Sequence, residues 1–248
     1  MKPRDVVFSG LVFLLLLSAS AFGALRASPP IGAIVQTWWF DSVSKELVVR
    51  LLNTSQKGIT AFNLAVTERF PDGTTQYSDH STDYLPRMAS VQLFPDLRDR
   101  FGDGTFPAGT SRDIRLPIQK ELSDASIVVD VVLYTDQTAE GSNKEMLGQL
   151  LAMRQGDILA MQQTNAVIAK ALASPNARES ARTELKRLAD VAHARLSRSD
   201  DPSTHTEGAL RQLLGKVEEA DDLSSIVKEN ETRIAFYSAH SRLRAVQP

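Results

Sequence analysis

The residues able to do acid–base, metal or nucleophilic chemistry are thinly spread along this chain. Its four histidines, His80, His193, His205 and His240, form no HxH, HExxH or Glu-x-x-His pair, the spacings that put two ligands on one side of a strand or helix. Asp96, Asp99 and Asp103 gather in DLRDRFGDG. Calcium needs six or more oxygens in a tight loop; this spacing is not that of an EF-hand and reads as a charged surface turn. Asp79, His80 and Ser81 are adjacent, but a hydrolytic triad converges from separate segments. G-x-S-x-G, G-x-G-x-x-G and G-x-x-x-x-G-K are all absent, so a nucleophile elbow and a phosphate loop have no support. With no cysteine, a thiolate nucleophile, a disulfide framework and a Cys zinc or iron–sulfur site are excluded. No metal or cofactor is expected. What remains is a set of carboxylates, Asp130, Asp136 and Glu140, near one junction, and two carboxylates at suitable separation are all a glycosidase needs.

Aromatic residues offer a different kind of site. Trp38 and Trp39 are adjacent, and on a strand adjacent side chains face opposite sides, so one at most enters a given core face. The other lies outside, and packing under a helical region is the expected use, with an exposed binding platform as the alternative. Asp79 to Gly109 carries Pro86, Pro95, Pro107, Gly102, Gly104 and Gly109 and reads as a long loop with one short strand near Ala89 to Phe94. Long loops in compact domains are often functional. The candidate binding surface is therefore Trp38, Trp39, Tyr84, Asp96, Asp99 and Asp103.

The elements that must position these residues are organised around Ser126 to Glu145, SIVVDVVLYTDQTAEGSNKE. Ile127, Val129, Val131 and Leu133 alternate with Val128, Asp130, Val132 and Tyr134, a period of two that points one set into a core. Ser142 with Glu145 reads as a capping box opening a helix. Before this junction the chain has β periodicity: Ile34 to Phe40, Glu46 to Asn53, Ile59 to Phe70, Thr74 to Tyr77 and Ser111 to Ile118. Pro71, Asp72 and Gly73 supply hairpin turn chemistry. After it, apolar residues recur at helical spacing: Leu147, Leu150, Leu151, Ile158, Met161, Ile168 and Leu172, then Leu185, Leu188, Ala192 and Leu196. Thr204 with Glu207 offers a second capping box before Leu210, Leu213, Leu214 and Val217, and Leu223 to Leu243 stripes a last helix.

LLNTSQKGITAFNLAVTERFPDG, residues 51 to 73, resembles exported bacterial β-sandwich modules of the FxLYD or immunoglobulin-like kind, in which an N-x-S-x-K-x-I turn joins two strands. LYTDQTAEG, residues 133 to 141, is similar to the close of such sandwiches in secreted bacterial proteins, with Gln137 standing where glycine is usual. The resemblance spans roughly Ile34 to Arg154. It implies a fold and a compartment, and no catalytic residues.

Composition sets the remaining bounds. Among 248 residues, 42% are hydrophobic and the formal net charge is −2, which suits a globular protein and gives no field to draw nucleic acid. Lys2 and Arg4 precede an apolar run, Val6 to Leu17, and small residues at Ser18 to Ala21, Gly23 and Ala24, the order of a secretory signal peptide. Cleavage after Ala21 or Gly23 fits; an uncleaved inner-membrane anchor is the alternative, since about 20 residues span a bilayer. An exported chain without cysteine suits a bacterial envelope. The expectation is an α+β protein: signal peptide 1–23, antiparallel immunoglobulin-like β-sandwich 31–141, and α-helical region 142–248. Its expected role is a periplasmic or secreted, non-enzymatic interaction or adaptor protein with a protein partner, no nucleic acid and no membrane insertion after cleavage. The alternatives are an envelope hydrolase or carbohydrate-active protein with its site at the sandwich–helix junction, and a structural oligomer that self-associates through its helices.

Overall fold

A computed structural model describes residues 31–118, 120–194 and 201–244. The expected signal segment lies outside the described residues. Among the described residues, seven strands come first: β1 (Ala33–Asp41), β2 (Glu46–Asn53), β3 (Ile59–Arg69), β4 (Thr75–Asp83), then β5 (Ser111–Pro117), β6 (Asp124–Tyr134) and β7 (Ala139–Gly141). Between β4 and β5 lie two helices, α1 (Leu85–Leu93) and α2 (Arg98–Phe101), joined by a 3-10 turn at Pro95–Leu97. The chain then runs through α3 (Lys144–Ala171), α4 (Ala177–His193), a 3-10 turn (Pro202–His205), α5 (Glu207–Glu219) and α6 (Leu223–His240). This is an α+β fold, with a β region followed by a helical region.

All strand pairs are antiparallel, in one sheet ordered β1-β2-β5 and another ordered β4-β3-β6-β7. Their facing sides share one apolar core, with Leu47, Val49, Leu51 and Leu116 from the first sheet and Phe62, Leu64, Val66, Val129 and Val132 from the second. The other face of the second sheet is covered. Ala61, Val131 and Leu133 pack there against Met146 and Leu150 of α3.

The alternation read along β6 does not hold on one face. Asn63 of β3 pairs with Val131, but its neighbour Leu64 pairs with Val129, so Asp130 is an extra residue in the ladder. A bulge of one residue reverses the phase of every side chain beyond it. Val129 and Val132 therefore both enter the inter-sheet core, while Val131 and Leu133 turn toward α3. Asp130, 8% exposed, accepts hydrogen bonds from Asn63 Nδ2 at 2.9 Å and Asn143 Nδ2 at 2.8 Å. Gly141, at φ +132°, lies so close that an added Cβ would sit 2.1 Å from the Asp130 carbonyl oxygen.

Helix α3 begins one residue later than the Ser142–Glu145 box predicts. Its cap is Asn143, whose Oδ1 accepts from the Met146 N–H at 3.0 Å while its amide is spent on Asp130. The Thr204–Glu207 box is likewise absent. Thr204 lies in the 3-10 turn, and α5 starts after Thr206 without a side-chain cap.

The stretch expected to be a long loop is mostly regular. β4 extends to Asp83, and the short strand expected near Ala89 to Phe94 is instead part of α1. Pro86 stands in the first turn of that helix, where the missing N–H costs nothing. Leu85, Met88 and Ala89 are buried with Ile158, Met161, Leu213 and Tyr237 in the helical core, which makes α1 a member of that layer. At the other end of the β region, Gln137 adopts φ +69° and closes the turn, its N–H donating to Tyr134 O at 3.0 Å. Its amide donates to Ala239 O at 3.0 Å, a role glycine could not fill.

Replacing Asn143 with Ala removes both the helix cap and one Asp130 partner, and urea denaturation should register a loss of about 1–2 kcal/mol.

Candidate functional site

The sheet and the helices meet on a buried cation. Arg154 of α3 is 2% exposed. Its guanidinium donates to both oxygens of Asp83, at 2.7 and 2.9 Å, to Thr60 O and Oγ1 at 3.2 and 3.1 Å, and to the carbonyl of His240 at 3.2 Å. Thr60 is presentable because β3 bulges there, Ile59 pairing with Tyr134 and Ala61 with Leu133. Asp83 also accepts the Leu85 N–H at 2.8 Å, so the end of β4, the start of α1, α3 and the C-terminus of α6 converge on one side chain. A buried bidentate arginine–carboxylate pair is tolerable only with its remaining donors satisfied.

Three residues on, Asp157 faces a cleft of about 360 Å³. Pro86, Arg87 and Ser90 of α1, with Leu97 and Phe101, form one wall. Asp157 and Met161 of α3, Ala209, Gln212, Leu213 and Lys216 of α5, and Arg233 and Tyr237 of α6 form the rest. Burial raises the Asp157 carboxyl, the nearby Asp83 raises it further, and Arg154 offsets part of this, leaving it at about 7. Burial also pushes Tyr237 above its ordinary value, as do the charges of Asp157 and Asp83. Across the cleft, Glu229 accepts from Lys216 Nζ at 2.5 Å and Arg233 Nε at 2.8 Å, and Arg233 also donates to Ser90 Oγ at 3.1 Å. Burial would raise Glu229, but its two cationic partners outweigh that and hold it low. The arrangement offers apolar surface, one titrating carboxyl and fixed cations, which is the chemistry of a binding cleft. A wider groove of about 610 Å³ between α3 and α4 is lined by Lys170, Glu179 and Glu184 among others, and Glu184 is already bonded to Arg187.

The residues singled out from sequence are not gathered at this cleft. Trp38 packs against the inter-sheet core. Trp39 faces outward, 39% exposed, with the Arg50 guanidinium 5.6 Å from its ring centre. It does not serve as a helix-packing surface, because the helical apolar contacts go to the β4-β3-β6-β7 sheet. Tyr84 is buried between Phe62 and Phe106, with ring centres at 6.2 and 6.5 Å, so it belongs to the core and not to a surface. Asp96, Asp99 and Asp103 are exposed, and Asp103 closes a turn by accepting from Thr105 N and Oγ1 at 2.9 and 2.6 Å.

The carboxylates of the hydrolase alternative are each held by different partners. Asp130 is bonded to Asn63 and Asn143. Asp136 pairs with Lys57 at 2.7 Å and Thr138. Burial would raise it, but those hydrogen bonds prevail and bring it to about 2. Glu140 accepts from the Gly32 N–H at 2.8 Å. On β4, Asp79 and Ser81 both bond Asn63, whereas His80 contacts Ser78. His193 lies 3.3 Å from Glu207, and His240 stacks on Phe236. No group of three or more His, Cys, Asp or Glu among the described residues is placed to hold a metal ion. No helix among them is long and apolar enough to cross a membrane.

Sequence reasoning missed Arg154 and Asp157. One signal was available: MRQGDIL puts Arg154 and Asp157 at helical spacing beside Leu150, Leu151 and Ile158, inside the apolar stripe.

No protein-family model matches the chain, and no curated protein sequence matches it. Among solved structures, a hypothetical protein from Peptoclostridium difficile 630 is similar at 9% identity, over 46% of this chain and 88% of that one, with a TM-score of 0.29. A superposition that loose carries no argument.

Replacing Arg154 with Met strands the Asp83 carboxylate and should cost about 3 kcal/mol in chemical denaturation. Asp157 binds its proton more tightly folded than unfolded, so the stability it contributes is full near pH 4 and is lost as pH rises through about 7. Asp157→Asn should therefore raise stability near pH 8 by ~2 kcal/mol and leave it little changed near pH 4, as thermal unfolding across that range would register.

Proposed function

We propose that this protein is an exported, non-enzymatic interaction protein, in which an immunoglobulin-like sandwich is the scaffold and the helical layer carries the recognition site. The observation behind the reading is the cleft between α1, α3, α5 and α6, whose wall carries both charged and apolar groups. The strand order supports the immunoglobulin-like assignment. Naming the strands A, B, C, C′, E, F and G in sequence, the sheets are A-B-E and C′-C-F-G, a relative of the constant-domain order with its fourth strand in the opposite sheet. Export rests on the charged, apolar and small-residue order at the N-terminus, with a periplasmic or secreted destination. A non-enzymatic role is favoured because Asp130, Asp136 and Glu140 each serve a helix start, a turn or a backbone amide.

The partner is a protein that meets this side of the molecule, where exposed Gln212 lines the cleft and exposed Phe94 directly follows α1. Photo-crosslinking amino acids placed at Phe94 and Gln212 should each trap the same saturable partner in the envelope of the producing cell. A third, at Arg115 on the outer side of the β1-β2-β5 sheet, should trap none. Adducts from Arg115 alone, or none from Phe94 and Gln212, would overturn the reading.

A further inference from the structure

We infer that the cleft binds a small zwitterion of the amino-acid class, its ammonium group on Asp157 and its carboxylate on Arg87. This rests on the reading of the cleft as a recognition site, but not on the existence of a protein partner.

The charged groups of the cleft fall into two sets. Lys216 and Arg233 are both paired with Glu229, a group that keeps one net positive charge, and Arg233 spends another donor on Ser90. Asp157 and Arg87 differ: among the described residues neither has a hydrogen bond or an ion pair from the protein. One comes from α3 and the other from α1, so the cleft presents an unmet acceptor and an unmet donor from different walls.

Arg87 is held for its task. Its guanidinium lies over the rings of Tyr84 and Phe101, at 5.4 and 5.2 Å from their centres, which fixes the planar fork and leaves its N–H edge available. A stacked arginine is suited to bidentate recognition of a carboxylate. Asp157 is held for the complementary task. It is partly buried near Asp83, and the nearby cation Arg154 is itself paired with Asp83 and only partly offsets this, so an ammonium group would supply the counter-charge its ionised form needs. An anion without an amine would leave Asp157 unmet, and a plain amine would leave Arg87 unmet. Met161, Leu213 and Phe101 add apolar surface to the same cleft, which suits an aliphatic side chain beside the two charged groups. The volume, about 360 Å³, lies at the small end of ligand pockets.

Binding in this mode is linked to protons. Asp157 titrates at about 7 when the cleft is empty, and an ammonium ligand requires the ionised form. The ligand therefore displaces a proton when it binds below that value.

The test is a thermal-shift screen of the standard L-amino acids, followed by calorimetric titration of the purified full chain with L-leucine, 3-methylbutylamine and 4-methylpentanoate. L-leucine or another apolar amino acid should saturate, and the analogues lacking the carboxylate or the amine should bind at least about tenfold more weakly. Asp157→Asn and Arg87→Gln should each weaken binding by about tenfold or more, with far-UV circular dichroism unchanged. Titration near pH 6 in buffers of different ionisation enthalpy should register close to one proton released in the parent protein and none in Asp157→Asn. The inference is overturned if no amino acid saturates by ~10 mM, if a single-charge analogue binds equally well, or if both variants retain the parent affinity. Crosslinks from Phe94 and Gln212 without amino-acid binding would sink this inference and leave the protein-partner reading intact; amino-acid binding without crosslinks would do the reverse.

Discussion

The guanidinium of Arg154 must be fully satisfied where it lies, and the junction between sheet and helices is arranged around that requirement. A charge at 2% exposure is tolerable only when its donors are met. Here the partners come from three elements other than its own helix: the Thr60 bulge in β3, Asp83 at the end of β4, and the last carbonyl of α6. Each is a place where the backbone departs from its regular ladder or ends. The bulge presents the Thr60 hydroxyl and a carbonyl that also accepts the Tyr84 N–H, the strand end presents a carboxylate, and the helix C-terminus leaves carbonyls without intrahelical partners. Irregularities that would weaken an isolated sheet or helix are thus made use of by one side chain.

A second polar node acts with the first to set the course of α3. The bulge at Asp130 delivers a buried carboxylate to Asn143, the residue that caps the helix. Asn63 holds the other oxygen of Asp130 and reaches Asp79 as well. The start of α3 is therefore fixed at Asn143 and its middle at Arg154, about three turns along. Met146 and Leu150 lie between these points, packed on Ala61, Val131 and Leu133. Apolar burial brings the layers together, and the two polar nodes specify their register.

Fixing α3 in this way also positions the cleft. Asp157 follows Arg154 by three residues and so lies on a neighbouring part of the same helix face. It is held close to Asp83, the carboxylate Arg154 already engages, and this contributes to its raised proton affinity. The opposite wall depends on the same junction, since Asp83 accepts the first amide of α1 and α1 carries Arg87. The groups that hold the fold are paired, whereas Asp157 and Arg87 are left to face the cavity. Retaining such groups lowers stability, which is the usual relation between a binding site and its scaffold.

Local sequence chemistry determined much of the architecture. The alternation of β2 and β3, the Pro71-Asp72-Gly73 turn and the stripes of α3 to α6 are legible because backbone geometry repeats every two or 3.6 residues. The opposite facing of Trp38 and Trp39 follows from the same period. Legibility ended where a residue answers to a distant partner. Val132 changed faces because an extra residue at Asp130 shifted the phase, and neighbouring residues carry no mark of that bulge. The Asp79–Gly109 stretch read as loop from its prolines, yet Leu85, Met88 and Ala89 find a surface to bury against only once α3, α5 and α6 are assembled. Arg154 resembles any solvated arginine on a helix until Asp83, 71 residues earlier in the chain, is brought beside it. The sequence by itself determined the kinds of element and their order, because those depend on local periodicity. Tertiary structure alone decided which charges are buried and paired and which face a cavity, because pairing depends on proximity in space and not on spacing along the chain.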